Sequence, residues 1–121
     1  MAKTAKKTKN YIDKKELLNE ITISKQENEL TPRAFELLHL LAKRVSLGLR
    51  YKRNEDREDC LQEAMHDIIK YWRNFDPNYK NANAFAYYTR LILSGLAKGF
   101  KKIYPDKDTM IVNFSEDMFN I

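Results

Sequence analysis

Two Glu-x-x-His pairs, Glu36 with His39 and Glu63 with His66, are the residues of this chain whose spacing suits metal chemistry. On helices such pairs project glutamate and histidine to one side, and two of them on facing helices form half of a di-iron carboxylate centre. The other half is one glutamate from each of two further helices. Between Asp76 and Asp106 the sequence has no carboxylate at all, so a helix drawn from that segment supplies no ligand. Cys60 is the only cysteine, which excludes an internal disulfide and a multi-thiolate metal site. There is no P-loop, nucleophile elbow or His-Glu-x-x-His zinc motif. The expectation is a protein without catalytic residues, metal or cofactor. A di-iron helical enzyme stands as an alternative with an incomplete ligand set.

A second constellation suits binding. The stretch "NANAFAYYTRLIL" (81–93) holds Phe85, Tyr87 and Tyr88 within four positions and leads into the basic "KGFKK". At about 100° per residue, Phe85, Thr89, Ile92, Leu96, Phe100 and Ile103 share one face of a helix, and Tyr88 can share it. Tyr87, Arg90, Ser94, Lys98 and Lys101 lie roughly opposite, beside a loop carrying Tyr79 and Lys80. Cations track phosphates, and aromatic faces stack on unpaired bases at about 1–3 kcal/mol each. The competing explanation is an ordinary solvated face with snorkelling lysines. The net charge of +5 and the pI near 9.3 suit a polyanionic partner. Upstream, Asp59, Gln62, Glu63, His66, Ile69, Lys70 and Arg73 form the outward face of another helix, with Ile69 either a docking contact or a harmless exposed apolar residue.

The elements that must position these residues are helices. The 121-residue chain has only three glycines and three prolines, too few turn signals for many short strands, and its length suits one domain. The fold class expected is all-α, a compact bundle of about four helices in residues 11–104, flanked by a basic arm (1–10) and an acidic, hydrophobic tail (105–121). A first helix covers about 12–26, with Leu17, Leu18 and Ile21 buried. Thr31 caps a second with Pro32 in its first turn, and Phe35, Leu38, Ala42, Val45 and Leu49 form its core face. A third helix starts near Asn54 and buries Leu61, Ala64, Met65, Ile68, Trp72 and Phe75 before Pro77 stops it. Asn81 or Asn83 caps a fourth, which runs to about Ile103 before Pro105. No apolar run approaches the roughly 20 residues of a membrane span, and no apolar h-region follows the basic start, so a cytoplasmic protein is expected.

"DCLQEAMHDIIKYWRNFDPNYKNANAFAYYTRLI" resembles region two of bacterial sigma factors. Asp59, Leu61, Gln62 and Glu63 stand for that family's Asp-Leu-x-Gln-Glu stretch. Phe75-Asp76, Tyr79-Lys80 and Phe85-Ala86-Tyr87-Tyr88 follow in the family's order and spacing. With "YIDKKELLNEI", the block looks especially like the small late-transcription sigma factors of T-even-type phages, a likeness covering most of residues 11–103. The resemblance implies a monomeric, non-enzymatic protein of the host-cell cytoplasm. Asp59, Gln62, Glu63, Met65 and Ile69 would dock on the clamp helices of core RNA polymerase. Tyr79, Phe85, Tyr87 and Tyr88 would recognise and open an AT-rich minus-ten promoter element, with Lys80, Arg90, Ser94, Lys98 and Lys101 along the DNA.

Departures accompany the likeness. Tyr87-Tyr88, or Tyr88-Thr89 if the register shifts by one, replaces the tandem tryptophan of primary sigma factors, and the glutamine that helps read the first minus-ten base pair is absent in either register. No second DNA-binding domain follows, so help from a sliding clamp is expected, through a peptide in which Met118, Phe119 and Ile121 are the apolar contacts. The alternative for that tail is that it folds back over the small core. The alternative for the whole chain is a helical nucleic-acid-binding module unrelated to sigma factors.

Overall fold

Helix boundaries in the computed structural model, which describes residues 12–105, follow local capping chemistry. Helix α1 (Lys14–Glu27) begins where the Asp13 carboxylate accepts hydrogen bonds from the Lys15 and Glu16 backbone N–H groups, at 2.9 and 3.3 Å. It ends at Asn28, which adopts a left-handed φ of 58°. Helix α2 (Pro32–Ser46) starts as expected: Thr31 Oγ1 accepts from Ala34 N at 3.1 Å and Pro32 sits in the first turn. Helix α3 (Asn54–Tyr71) has Glu55 and Asp56 in its first turn, where the helix dipole favours carboxylates, and continues as a 3₁₀ turn, Trp72–Asn74. Helix α4 (Ala84–Ile103) is capped by Asn83, whose side chain accepts from Ala86 N at 3.0 Å. Asn81 is instead the left-handed residue of the preceding loop, with φ 61°.

The fold is an all-α bundle of four helices among the described residues. Helices α3 and α4 form its main pair, and α1 bridges α2 and α4. Glycines decide how closely that pair packs. A Cβ on Gly95 would stand 2.6 Å from Ala64 Cα, and one on Gly99 would stand 2.9 Å from Cys60 Cα. The backbones therefore meet over small residues. Leu17, Ile21, Leu38, Leu41, Val45, Ile68, Tyr88, Ile92 and Leu96 fill the core with no exposed surface.

The buried set differs from the expected stripes in particular places. Phe35 is exposed and stacks against His39 with ring centroids 6.0 Å apart, while Ala34, Leu37 and Leu41 take the inner face of α2. Leu61 and Met65 are only half-buried, because α3 turns Cys60, Ala64 and Asp67 toward α4 and so rotates those two residues to its edge. Phe85, Thr89 and Ile103 are likewise half-buried, and Ala84, Gly95 and Gly99 occupy the inner face of α4. Burial pushes the Cys60 thiol up to about 11, which keeps it protonated and unreactive near neutral pH.

Candidate nucleic-acid interface and docking groove

The loop between α3 and α4 is set by its own backbone chemistry. Asp76 Oδ1 accepts from Asn78 N at 2.9 Å, Tyr79 N donates to Asp76 O, and Ala82 N donates to Tyr79 O. The start of the loop is clipped to the far end of α1. Lys25 Nζ donates to the Arg73 carbonyl at 2.6 Å, and the Arg73 guanidinium donates to the Asn28 side chain and carbonyl at 3.0 and 2.9 Å. These contacts leave Tyr79 projecting, with 72% of its surface exposed.

A cleft of about 400 Å³ opens beneath Tyr79. Phe75, Tyr87 and Ala86 contribute apolar surface, Asn74, Asn81 and Asn83 contribute amides, and Arg90 and Asp76 lie at its margin. Tyr87 is half-buried, with its ring centroid 5.2 Å from that of Phe75 and edge-on to Tyr88 at 5.1 Å. The cleft thus combines aromatic faces with hydrogen-bonding amides and one guanidinium, groups able to stack on and bond a planar heterocycle.

Tyr88 does not belong to that surface. It has no exposed surface, and its hydroxyl donates to the Trp72 carbonyl at 2.7 Å. Burial raises the phenol above its ordinary value. The expectation that Tyr88 receives a base is corrected: its ring is part of the core and forms the wall against which Tyr87 packs. Phe85 lies apart from the cleft, with Lys14 Nζ 4.9 Å from its ring centroid. Lys80, Ser94, Lys98 and Lys101 are exposed outside it. Lys98 is engaged with the buried Asp67 carboxylate at 2.9 Å, which raises the lysine above its ordinary value. The row opposite the core is therefore less basic than its sequence, because Lys98 serves the contact between α3 and α4.

The expected docking residues divide across α3. Gln62, Met65 and Ile69 line a groove of about 840 Å³ between α2 and α3, together with His39, Lys43 and Leu47 from α2 and Arg57, Leu61 and His66 from α3. Ile69 and Leu47 are 56% and 64% exposed, and both border this groove. Asp59 and Glu63 lie on the other side, in a smaller depression of about 370 Å³ against α4. There Lys102 donates to the Glu63 carboxylate and holds it below the usual carboxylate range. His39 is held below its ordinary value, first by burial and then by Lys43, so it is neutral near pH 7.

Neither Glu-x-x-His pair converges on the other to make a metal site. Glu36 pairs with Arg33 and Glu63 with Lys102, and among the described residues no group of three or more His, Cys, Asp or Glu side chains is placed to hold a metal. Sequence reasoning missed Phe75 and the three asparagines as cleft residues, although the density of asparagine from Asn74 to Asn83 was a usable signal. It also missed the α2 wall of the groove. There His39, Lys43 and Leu47 follow at intervals of four, a row that mixed polarity concealed. Met118, Phe119 and Ile121 lie outside the described residues.

No family model, curated protein or solved structure matches this chain. Among the described residues no helix is long and apolar enough to cross a membrane.

Proposed function

We propose that this chain is a minimal sigma factor of the T-even late-transcription type, acting by binding and not by catalysis. The observation that carries the reading is the cleft in which Tyr79, Tyr87, Phe75 and Arg90 meet at the start of α4, at the place where the sequence resemblance puts promoter opening. In this reading Tyr79 and Tyr87 receive a base leaving an AT-rich minus-ten element, and the Arg90 guanidinium meets the phosphate chain. Stacking on the exposed rings offsets part of the few kcal/mol that unstacking a base costs. Tyr88 supports Tyr87 from behind. Gln62, Met65 and Ile69 dock the protein on the clamp helices of core RNA polymerase, and Met118, Phe119 and Ile121 offer a peptide to a sliding clamp.

In-vitro transcription with core polymerase on supercoiled DNA, with permanganate footprinting of promoter thymines, tests the proposal. Tyr87→Ala should lower open-complex formation about tenfold or more, as expected for losing one stacked base, and leave co-purification with polymerase unchanged. Wild-type protein that binds single-stranded DNA but neither polymerase nor a promoter would replace this reading with that of a non-sigma nucleic-acid-binding module.

A further inference from the structure

The groove between α2 and α3 has a defined length, charge and neighbour. Its α3 wall runs from Arg57 to Ile69, twelve residues and so about 18 Å of helix. Its floor is apolar, with Leu61, Met65, Ile69 and Leu47. Lys43 and Arg57 bring two permanent positive charges to its walls against the single carboxylate of Glu58. Helix α4 delivers the chain close to one end of this groove. Tyr104 Oη donates to the Asp56 carboxylate and accepts from Lys52 N. Lys52 lines a depression that shares Leu47 and Arg57 with the groove.

Sixteen residues follow Pro105. The first twelve carry Met110, Ile111, Val112 and Phe114 between Asp106 and Asp108 on one side and Glu116 and Asp117 on the other, against one lysine, Lys107. Five extended residues span about 17 Å, comparable with the length of the groove's α3 wall. The segment thus has the apolar content, the opposite charge and the reach that the groove requires.

We propose that residues 106–117 of the same chain occupy the α2–α3 groove, with Met110, Ile111 and Phe114 against Leu61, Met65 and Ile69 and the flanking carboxylates toward Lys43 and Arg57. The groove is then closed by its own chain until a partner displaces the segment. Met118, Phe119 and Ile121 stay beyond the covered stretch. A short segment that orders on docking has part of its contact energy offset by lost freedom, and tethering to α4 compensates by raising its local concentration. The contact itself does not rest on the sigma-factor reading; only the identity of the displacing partner does.

Methionine-methyl NMR on the full chain tests it. Met65 is the one methionine of the domain, and Met110 lies in the segment. The expected result is a nuclear Overhauser effect between the Met65 and Met110 methyl groups, lost together with a shift of the Met65 signal in the Ile111→Ser/Phe114→Ser variant. Lys43→Glu/Arg57→Glu should weaken the same effect while helical circular dichroism is retained. Absence of the Met65–Met110 effect in the wild-type chain, with a Met65 signal indifferent to the tail substitutions, overturns the proposal. So does an effect that isotope filtering in mixed labelled and unlabelled protein shows to be intermolecular, since the occupant would then be a second copy. Each of these outcomes leaves the open-complex assay on Tyr87 untouched.

Discussion

Helix α3 has two flanks that differ in kind. Against α4 it is sealed: Gly95 and Gly99 bring the backbones together over Ala64 and Cys60, and the Asp67–Lys98 and Glu63–Lys102 pairs close the edge. Against α2 its outer edge borders a groove, with Leu61 and Met65 half-buried against the core and Ile69 exposed. Small residues at intervals of four let one pair of helices meet backbone to backbone, whereas longer side chains line the groove along the other. At the other end of that pair the Tyr88 hydroxyl on the Trp72 carbonyl and the Phe75–Tyr87 ring contact tie the end of α3 to the start of α4, and so set the aromatic cleft. The open flank leaves apolar surface for another segment or partner.

If that contrast is right, disturbing the sealed flank costs stability and disturbing the open one costs binding. The largest effect is expected at Tyr88, whose ring bridges Phe75 and Tyr87 inside the core. Truncating a buried aromatic costs about 3–5 kcal/mol, so Tyr88→Ala should lower the urea midpoint sharply. Near-normal stability would mean that the ring is surplus to the core after all. Gly95→Ala comes next. Overpacking costs about 1–3 kcal/mol, and alanine recovers about 1 kcal/mol through helix preference. The difference is about 0–2 kcal/mol, and because the close contact is with Ala64 backbone, a net loss toward the upper end of that range is expected. A stabilised variant would show that α3 and α4 can separate cheaply.

A smaller, pH-dependent effect is expected where α4 ends on the start of α3. The Tyr104 hydroxyl, then burial in the opposite sense, then Arg53 leave the Asp56 carboxyl below its ordinary value of 3.8. An acid with a depressed native value contributes stability above its unfolded value and loses it as the pH falls through the native one. The wild-type melting temperature should therefore exceed that of Asp56→Asn near neutral pH, and the gap should narrow below about pH 4. A gap that stays constant with pH would assign Asp56 a packing role only. The smallest change in stability belongs to the open flank. Ile69→Asp should alter unfolding by no more than about 1 kcal/mol, since Ile69 is exposed on the domain and only the proposed tail contact covers it. Under the proposed docking, it should abolish co-purification with core polymerase. Retained co-purification would remove the α3 edge from the docking surface.

Capping residues carried most of the fold in plain sight. Thr31 with Pro32, the acids after Asn54 and the Pro105 stop each marked a helix end that the structure keeps, because these signals act through backbone groups within one turn. Helix α3 instead ends at Tyr71 and its 3₁₀ turn at Asn74, short of the expected stop at Pro77. The site was legible only in part. Tyr79, Tyr87 and Arg90 converge on one cleft, as the helical spacing and the loop suggested, and Ile69 is exposed as read. The adjacent Tyr88 could not be assigned by spacing alone. One residue is about 100° of turn, and Tyr88 lies only about 40° beyond Ile92 on that projection, at the margin of the core face, where spacing allows either burial or exposure. The Trp72 carbonyl that accepts its hydroxyl lies sixteen residues away, and no local pattern announces it.

What the sequence by itself determined is the helical class, the helix ends and the excess of positive charge, because each follows from residue type and short-range order. Only the tertiary structure decided which side of α3 is sealed, that Lys98 serves Asp67, and that Tyr88 belongs to the core while Tyr87 borders a cleft. Those outcomes depend on how far apart two backbones stand, and that distance is set jointly by residues remote in the chain: Ala64 with Gly95, and Cys60 with Gly99.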